Sequence, residues 1–283
     1  MKTLIIGANG QLGRAFRKRL DTRKIPFLAA DRSVCDITKA GDVPKLLDSY
    51  KPDVVINCTA YNSVDAAEDD RATAFAVNAE AVKEIARCCD ERRAIFVHYS
   101  TDYVFDGSKG SPYVESDVTG PLSVYAQSKL AGEQSAMTEA KEHLVFRVSW
   151  VLGEGKQNFL YKLRQWTVKN DVIRVAADEI SVPTFAGTIV DVTLDALKAG
   201  LRGLFHLTSS GSASRFEYAS FYLDAAGIKG KTLVPVSRTV FGLKAKRPGY
   251  SVMSNDLLQR TMGIRVPDWK DAVREFMREV RIV

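Results

Sequence analysis

Short apolar runs alternate with longer amphipathic segments through the first half of the chain. Five of these runs are aliphatic and bounded by turn-forming residues, which is typical of parallel strands buried on both faces. They lie at 3–6, 26–30, 53–58, 94–100 and 144–149. Apolar residues at helical spacing follow the first run to about residue 20 and fill the stretch 72–89. This alternation predicts an α/β fold with a doubly wound, Rossmann-like parallel sheet, whose ligands would bind at the carboxyl ends of the strands.

The composition changes after Trp150, where the strands become less regular. Patterns in this part predict helices at 158–167, 187–199 and 268–280 and strands at 172–176 and 203–207. Ser214 and Glu217 have the spacing of a capping box that opens a further helix. After Gly227 the sequence loses the strand and helix periodicities.

These patterns predict two domains, which a chain of this length can accommodate. We expect a dinucleotide-binding domain at 1–150, with the chain returning to it at about 187–210. A smaller C-terminal substrate-binding domain would be built mainly from 151–283.

Composition and charge argue against several classes of function. The net charge of +6 comes from basic residues scattered among acidic ones, without a basic run or an RNA-binding motif, so we expect no nucleic-acid partner. The four cysteines include no C-x-x-C pair, which favours reduced packing residues over a disulfide frame or zinc site. No apolar run approaches membrane-spanning length, and the apolar start is too short for a signal peptide. We therefore expect a cytoplasmic protein without membrane contact.

A glycine-rich turn follows the first predicted strand and leads into a helix. Glycines at this place allow a tight turn, close approach of a pyrophosphate to the backbone, and close packing of helix on strand. The free N–H groups at the helix start favour the phosphate charge. The sequence therefore predicts that this turn binds a dinucleotide through Gly7, Gly10, Gln11, Leu12 and Gly13.

The second predicted strand ends at Asp31, eighteen residues past Gly13. An acidic side chain there can accept hydrogen bonds from the adenosine ribose, which favours NADH. Arg32 follows directly and can pair with a 2′-phosphate, so NADPH stays open as the alternative cofactor.

Tyr125 and Lys129 lie four residues apart in a segment of helical composition. On a helix this spacing places both side chains on one face. A lysine ammonium beside a phenol favours the phenolate, so we expect Lys129 to lower the pKa of Tyr125 toward working pH. The pair would then exchange a proton with a substrate.

Other motifs give the pair its context. The hydroxyl-rich turn Ser-Thr-Asp-Tyr-Val-Phe-Asp-Gly at 100–107 follows the fourth predicted strand. The order of glycine turn, hydroxyl turn and Tyr-x-x-x-Lys resembles the extended branch of the short-chain dehydrogenase/reductase superfamily. With Arg-Val-Ser-Trp at 147–150 and Arg247-Pro248, the chain resembles the dTDP-4-dehydrorhamnose reductase family over nearly its whole length.

This resemblance implies roles for individual residues. Tyr125 would donate a proton, Lys129 would hold the nicotinamide ribose, and Thr101 would hydrogen-bond the substrate ketone. Further cofactor contacts would come from Asp36, Ile37, Thr59, Ala60 and Tyr61, and substrate contacts from Thr101, Asp102, Trp150 and Arg247. The implied reaction is NAD(P)H-dependent reduction of the C4 ketone of dTDP-4-dehydro-β-L-rhamnose to dTDP-L-rhamnose, the last step of dTDP-rhamnose biosynthesis.

Alternatives remain at this point. In related sugar-nucleotide dehydratases an acidic residue occupies the place of Tyr103, so the resemblance favours reduction over dehydration. An epimerase, a reductase of another nucleotide sugar, or a non-catalytic regulatory subunit like that of methionine adenosyltransferase would share much of the pattern. Retention of both Tyr125 and Lys129 favours an enzyme.

Two further predictions concern metal sites and the oligomeric state. His98 has no companion histidine or cysteine at metal spacing, so we predict a packed strand residue and no metal site. Some relatives dimerise through magnesium held by an acidic residue just after the third glycine, where this chain has Arg14. We therefore expect a monomer or a metal-independent homodimer.

Glu68 is expected to be a solvated residue of a first helical turn.

Overall fold

Six parallel strands form the central sheet of the structure, a computed structural model that describes residues 1–280. In chain order strands β1 to β5 and β10 are Thr3–Ile6, Phe27–Ala30, Val54–Asn57, Ile95–Thr101, His143–Val148 and Gly203–His206. Their order across the sheet is β10-β5-β4-β3-β1-β2. The direction of winding reverses between β1 and β3, and ligands bind at such a switch point in doubly wound sheets. The predicted fold class is confirmed.

Helices cover both faces of this sheet. In chain order α1 to α5 and α7 are Gln11–Thr22, Asp42–Tyr50, Arg71–Phe75, Ala81–Glu91, Val124–Glu139 and Ala186–Lys198. On one face α1 and α7 pack against apolar strand residues such as Ile5, and on the other α2, α4 and α5 pack against Leu4 and Ile6. Both faces of β1 are therefore buried, which explains its continuous apolar run.

The rest of the chain builds a third apolar core around Tyr218, Trp269 and Phe276. Helices α6 and α8 to α10 are Phe159–Lys169, Arg215–Ala225, Asp256–Met262 and Trp269–Glu279. Strands β6 to β9, β11 and β12 are Val151–Leu152, Val172–Ala176, Ile180–Ser181, Thr184–Phe185, Ala213–Ser214 and Thr232–Val236. The predicted capping box of Ser214 and Glu217 opens α8. The division into two domains at residue 150 stays a prediction.

The structure differs from the sequence patterns in three ways. Strand β12 lies in the stretch after Gly227 that shows no period; it pairs with β7 in a small sheet and is only partly buried, so no apolar run marks it. Helices α2 and α9, which no sequence pattern predicted, are only nine and seven residues long. The predicted single helix at 72–89 is interrupted by a π-helical turn, Ala76–Glu80, between α3 and α4.

Some expectations about special groups can be compared with the described residues. All four cysteines are free thiols, each buried or half-buried. Within residues 1–280 no helix combines the length and the apolar character needed to cross a membrane.

Candidate active site

The glycine turn between β1 and α1 is a close-packed bend. Gly7 has a left-handed φ of +81°, and a Cβ there would lie 2.8 Å from Cγ2 of Thr59. A Cβ on Gly13 would lie 2.4 Å from the carbonyl oxygen of Gly7. Neither position can hold a side chain without moving backbone, so the start of α1 reaches the strand end only because both are glycine. The turn thus keeps the backbone cradle that a pyrophosphate needs.

A cleft of about 1100 Å³ runs over the carboxyl ends of the central strands. Every residue predicted to contact the cofactor lines it except Gly13, which is buried beneath the turn. Thr101, Asp102 and Trp150 line the same cleft, whereas Arg247 does not. The donor set and the glycine cradle therefore fit a dinucleotide lying across the switch point.

At one end of the cleft, Asp31 accepts hydrogen bonds from the side chain of Asn9 at 2.6 Å and from the hydroxyl of Ser33 at 2.6 Å. The hydrogen bonds from Ser33 lower the pKa of this carboxyl, so it is an ionised acceptor. Arg32 is largely exposed and pairs with Asp36 at 3.2 Å. The Asp31 carboxylate, which could accept hydrogen bonds from a ribose, thus lies next to the Arg32 guanidinium, which could pair with a phosphate.

The loop after β3 is held by two buried asparagines. Asn57 accepts hydrogen bonds from the backbone and hydroxyl of Thr59, at 3.0 and 2.6 Å. Asn78, in the π-helical turn, accepts from the backbone N–H of Tyr61 at 2.8 Å and donates to its carbonyl at 3.1 Å. Its amide also donates to Oγ of Ser128 on α5 at 2.9 Å. The cofactor-side loop and α5 are therefore fixed to one another.

Tyr125 and Lys129 lie in the first two turns of α5, and Thr101 ends β4. All three side chains are buried at the floor of the cleft. Ser123 caps α5 by accepting a hydrogen bond from the backbone of Ala126. The structure brings the predicted tyrosine, lysine and threonine to one place.

Glu68 reaches the same helix. Its carboxylate accepts a hydrogen bond from the N–H of Val124 at 2.9 Å, which satisfies a free donor of the first turn. Glu68 lies in a first helical turn, as expected, but it is half-buried and not fully solvated, because the fold places the 66–68 turn against the start of α5.

The pKa of Tyr125 moves opposite to the expected direction. Burial raises it to about 12, and the contact with the Thr101 hydroxyl only partly opposes this. Burial also lowers the pKa of Lys129 to about 8, an effect that the charge of Glu133 opposes. The Lys129 ammonium donates to the carbonyl oxygen of Tyr99 at 2.6 Å. Desolvation is therefore the largest influence on the Tyr125 phenol, and the expected lowering of its pKa by Lys129 does not appear.

Asp102 is engaged on both carboxylate oxygens. Oδ2 accepts hydrogen bonds from Ser181 at 2.8 Å and Ser251 at 2.5 Å, and Oδ1 accepts from the Thr101 hydroxyl at 3.1 Å. Burial raises its pKa to about 6, and the hydroxyl donors limit the rise. Asp102 therefore joins the end of β4 to two segments of the C-terminal half.

Trp150 lines the cleft in a strained backbone conformation, with a φ of +35°. The guanidinium of Arg215 lies 3.5 Å from the centre of its ring. Arg215 in turn pairs with Glu179 at 3.3 Å, and Glu179 accepts the phenol hydrogen bond of Tyr103 at 3.2 Å. A polar chain thus connects the tryptophan to the hydroxyl-rich turn.

Arg247 forms a bidentate ion pair with Asp65, with N–O distances of 3.0 and 2.6 Å. The ion pair lowers the pKa of the Asp65 carboxyl. The predicted contact of Arg247 with the substrate's diphosphate stays a prediction, since this pairing holds the guanidinium beside the 61–70 loop.

Histidine does not form a metal centre in the part of the chain that the structure describes. Within residues 1–280 no three histidine, cysteine or acidic side chains cluster at metal-binding distances. His98 is buried in β4 beside Asn57, and burial holds its pKa well below the usual value.

Comparison with known proteins agrees with this geometry. The family model described as RmlD substrate binding domain matches residues 1–282. A dTDP-4-dehydrorhamnose reductase from Burkholderia thailandensis is 37% identical, and the alignment covers 99% of each chain.

The chain belongs to the RmlD family.

Two solved structures extend the likeness of this RmlD family member to three dimensions. A dTDP-4-dehydrorhamnose reductase from Clostridium acetobutylicum is 34% identical with a TM-score of 0.95, covering 99% of both chains. The enzyme from Bacillus anthracis, solved in complex with NADP, is 31% identical with the same TM-score of 0.95 and 99% coverage of both chains. The predicted family is confirmed.

Sequence reasoning about this RmlD family chain missed several residues around the site. Asn57 and Glu68 hold the cleft loop and the start of α5, and Glu133 and Arg147 form a buried ion pair under that helix. A polar residue ending an apolar strand, as Asn57 does, is a usable signal. Glu68 meets its partner across 56 residues of sequence. Arg147 begins the Arg-Val-Ser-Trp motif, but its pairing with Glu133 depends on how α5 packs on β5.

Proposed function

We propose that the protein reduces the C4 ketone of dTDP-4-dehydro-β-L-rhamnose to dTDP-L-rhamnose, using NADPH or NADH. Membership of the RmlD family and full-length relatives named for this reduction support the proposal. The observation that carries it is the meeting of Tyr125, Lys129 and Thr101 beside a glycine-lined dinucleotide cleft.

The residues of the cleft suit a nicotinamide cofactor. The turn containing Gly7 and Gly10 would hold the pyrophosphate, and Asp31 or Arg32 the adenosine ribose or its phosphate. When bound, the cofactor supplies a hydride for the carbonyl carbon. The neighbouring Arg32 guanidinium and the NADP bound to the Bacillus anthracis relative support NADPH, and the Asp31 carboxylate supports NADH.

Tyr125 would supply the proton. Because burial raises the pKa of this phenol to about 12, it is protonated at neutral pH and ready to donate. An alkoxide is a much stronger base than a phenolate, so transfer from Tyr125 to the new hydroxyl is favourable. Thr101 would exchange its hydrogen bond to Asp102 for one to the carbonyl oxygen as negative charge develops there. Lys129, charged at neutral pH, would stabilise the phenolate that is left.

The hydroxyl-rich turn supports reduction over dehydration. Tyr103 stands where a dehydratase would need an acidic side chain, and burial raises the pKa of its phenol further. Trp150, Asp102 and Arg247 remain the proposed contacts for the dTDP-linked keto-sugar. The relatives are named reductases, which favours this activity over an epimerase or a regulatory subunit.

We also propose a monomer or a metal-independent homodimer that works in the cytoplasm. The guanidinium of Arg14 donates hydrogen bonds to the carbonyl oxygens of Asn9 and Glu154. A fixed cation therefore occupies the place where a metal-dependent relative would need a carboxylate.

The test is Tyr125→Phe, assayed for oxidation of NADPH and NADH with dTDP-4-dehydrorhamnose and with other keto-sugar nucleotides. Turnover should fall by about 10²–10⁴-fold, the usual scale for a lost general acid, while NADPH affinity measured by fluorescence stays within about twofold. Tyr222→Phe, a buried tyrosine of the third core, is the matched control and should keep wild-type turnover. Near-normal turnover of Tyr125→Phe, or a wild-type preference for another keto-sugar, contradicts the proposal.

A further inference from the structure

A buried ion pair lies directly beneath the proposed catalytic helix. Glu133 on α5 and Arg147 on β5 form two hydrogen bonds, Nε to Oε2 at 2.9 Å and Nη2 to Oε1 at 2.6 Å. The exposed fractions of the two side chains are 1% and 4%. Arg147 also contacts Nε2 of His206 at 3.3 Å. Neither residue lines the cleft, so the proposed mechanism uses neither.

The position of Glu133 on the helix connects this pair to the site. Tyr125, Lys129 and Glu133 follow one another at intervals of four residues, so they lie along one stripe of α5, and all three are buried. Residues four apart on a helix are neighbours, with Cβ atoms about 5–6 Å apart. Lys129 therefore lies between the phenol at the cleft and the carboxylate below it.

Lys129 needs such a partner because its own surroundings disfavour a charge. Its side chain is 3% exposed, and its ammonium contacts a neutral carbonyl oxygen, that of Tyr99. Burial without a counter-charge drives a lysine toward its neutral form. Glu133 is the charged group that opposes this loss of the proton, and without it the pKa of Lys129 would fall below about 8.

The other titratable groups near Lys129 do not replace Glu133. His98 on β4 is held neutral by burial and by the charge of Lys129, and Tyr125 is protonated at neutral pH. Glu68 and Arg71 contact the first turn of α5, at Val124 and Gln127. Of the groups that line the cleft with Lys129, Tyr99 and Cys58 are kept neutral because burial raises their pKa. The carboxylate of Asp102 is engaged by the hydroxyls of Ser181 and Ser251.

We propose that Glu133, fixed by Arg147, is a positioning residue that holds Lys129 in its charged form at neutral pH. The inference deepens the proposed function and rests on it for its catalytic meaning. Arg147 sets the side-chain conformation of Glu133, so the carboxylate does not rotate away from α5. The Glu133–Arg147 ion pair therefore keeps the Lys129 side chain protonated, so that it can interact with the Tyr125 phenolate and the cofactor ribose.

The test measures the protonation of Lys129 directly, without any assay of activity. Protein labelled with ¹³C at the lysine Cε is titrated by NMR, and the Lys129 signal is identified by its absence in Lys129→Arg. Wild-type Lys129 should titrate near pH 8. In Glu133→Gln, which removes the charge but keeps a hydrogen-bonding side chain, its midpoint should fall by about one pH unit, since a unit charge nearby is lost. Glu133→Asp, which keeps the charge, should restore most of the wild-type midpoint.

Glu139→Gln is the control, because Glu139 lies on the same helix and makes only a long, exposed pair with Lys83 at 3.8 Å. It should leave the Lys129 midpoint unchanged. A midpoint in Glu133→Gln equal to that of wild type overturns the inference. If Glu133→Gln does not fold, Arg147→Lys gives a second test: it keeps the positive charge but loses the bidentate pair, so the less firmly held carboxylate should lower the Lys129 midpoint, and an unchanged or raised midpoint overturns the inference equally.

A parallel measurement separates this inference from the proposed function. The alkaline limb of the pH profile of NADPH affinity should move to lower pH in Glu133→Gln and stay in place in Glu139→Gln. If wild type neither binds NADPH nor reduces the keto-sugar, the proposed function fails, and the NMR result still decides the effect of Glu133 on Lys129. If wild type is active and the two profiles coincide, only the inference fails.

Discussion

At Gly132 the proposed catalytic helix packs closely against the π-helical turn. A Cβ at Gly132 would lie 1.9 Å from the carbonyl oxygen of Asn78 and 3.1 Å from its carbonyl carbon. Ordinary contact needs about 3.4 Å or more, so Gly132→Ala must push α5 and the turn apart by on the order of 1 Å. The neighbouring atoms belong to the backbone and cannot rotate away. Asn78 also holds Tyr61 and Ser128, so the displacement would stretch those hydrogen bonds.

Helix propensity alone predicts the opposite effect. Replacing a glycine inside a helix by alanine stabilises it by about 0.5–1 kcal/mol. We expect Gly132→Ala instead to destabilise the protein by ~2–3 kcal/mol, the usual scale of overpacking, which lowers the melting temperature by roughly 4–12 °C. Turnover should fall up to about 100-fold, since an error of 1 Å in a catalytic group can cost that much.

The assay compares thermal unfolding and reductase turnover of Gly132→Ala with those of Gln134→Ala. Gln134 is exposed on the same helix, so its replacement should change stability by no more than about 0.5 kcal/mol and leave turnover unchanged. A Gly132→Ala protein that melts at or above the wild-type temperature and turns over normally would refute the packing argument.

Two further predictions concern the turn and the buried carboxyl. Gly13→Ala, whose Cβ would lie 2.4 Å from the Gly7 carbonyl oxygen, should weaken NADPH binding at least about tenfold, because the pyrophosphate cradle is displaced; unchanged affinity in a fluorescence titration contradicts this. The pKa of Asp102 is about 6 in the folded protein and has a reference value of 3.8, so wild type should lose stability as the pH rises from about 4 through 6, whereas Asp102→Asn should not. Urea unfolding should therefore show the variant gaining up to ~3 kcal/mol over wild type between pH 4 and pH 7, and a difference independent of pH counts against the argument.

The local sequence was sufficient to predict the position of those site residues that directly follow a buried strand. The glycine turn after β1 and the hydroxyl turn after β4 could be placed because an apolar run followed by turn residues marks a buried parallel strand. Parallel strands bring their carboxyl ends to one edge, so the meeting of Thr101 with Tyr125 and Lys129 followed from the topology. Helix and strand bounds differed by one or two residues where the period was strong.

Long-range partners could not be predicted from the sequence. Asp102 accepts a hydrogen bond from Ser251, which lies 149 residues further along the chain. Arg247 forms its ion pair with Asp65 at a separation of 182 residues. Nothing local distinguishes Asp65 or Asp102 from a solvated acidic residue. Their partners depend on how the C-terminal half folds back over the strand ends.

The direction in which the Tyr125 pKa moves shows why a motif alone does not determine the chemistry. Spacing places Lys129 one helical turn from the phenol and suggests a lowered pKa, as a base would need. The fold instead buries both groups and directs the ammonium to the carbonyl of Tyr99, so the phenol remains an acid at neutral pH. Reduction of a ketone consumes a proton and needs an acid, whereas oxidation of the alcohol needs a base. Burial therefore keeps Tyr125 in the protonated form that reduction uses, and the counter-charge of Glu133 allows Lys129 to stay charged in the same buried place.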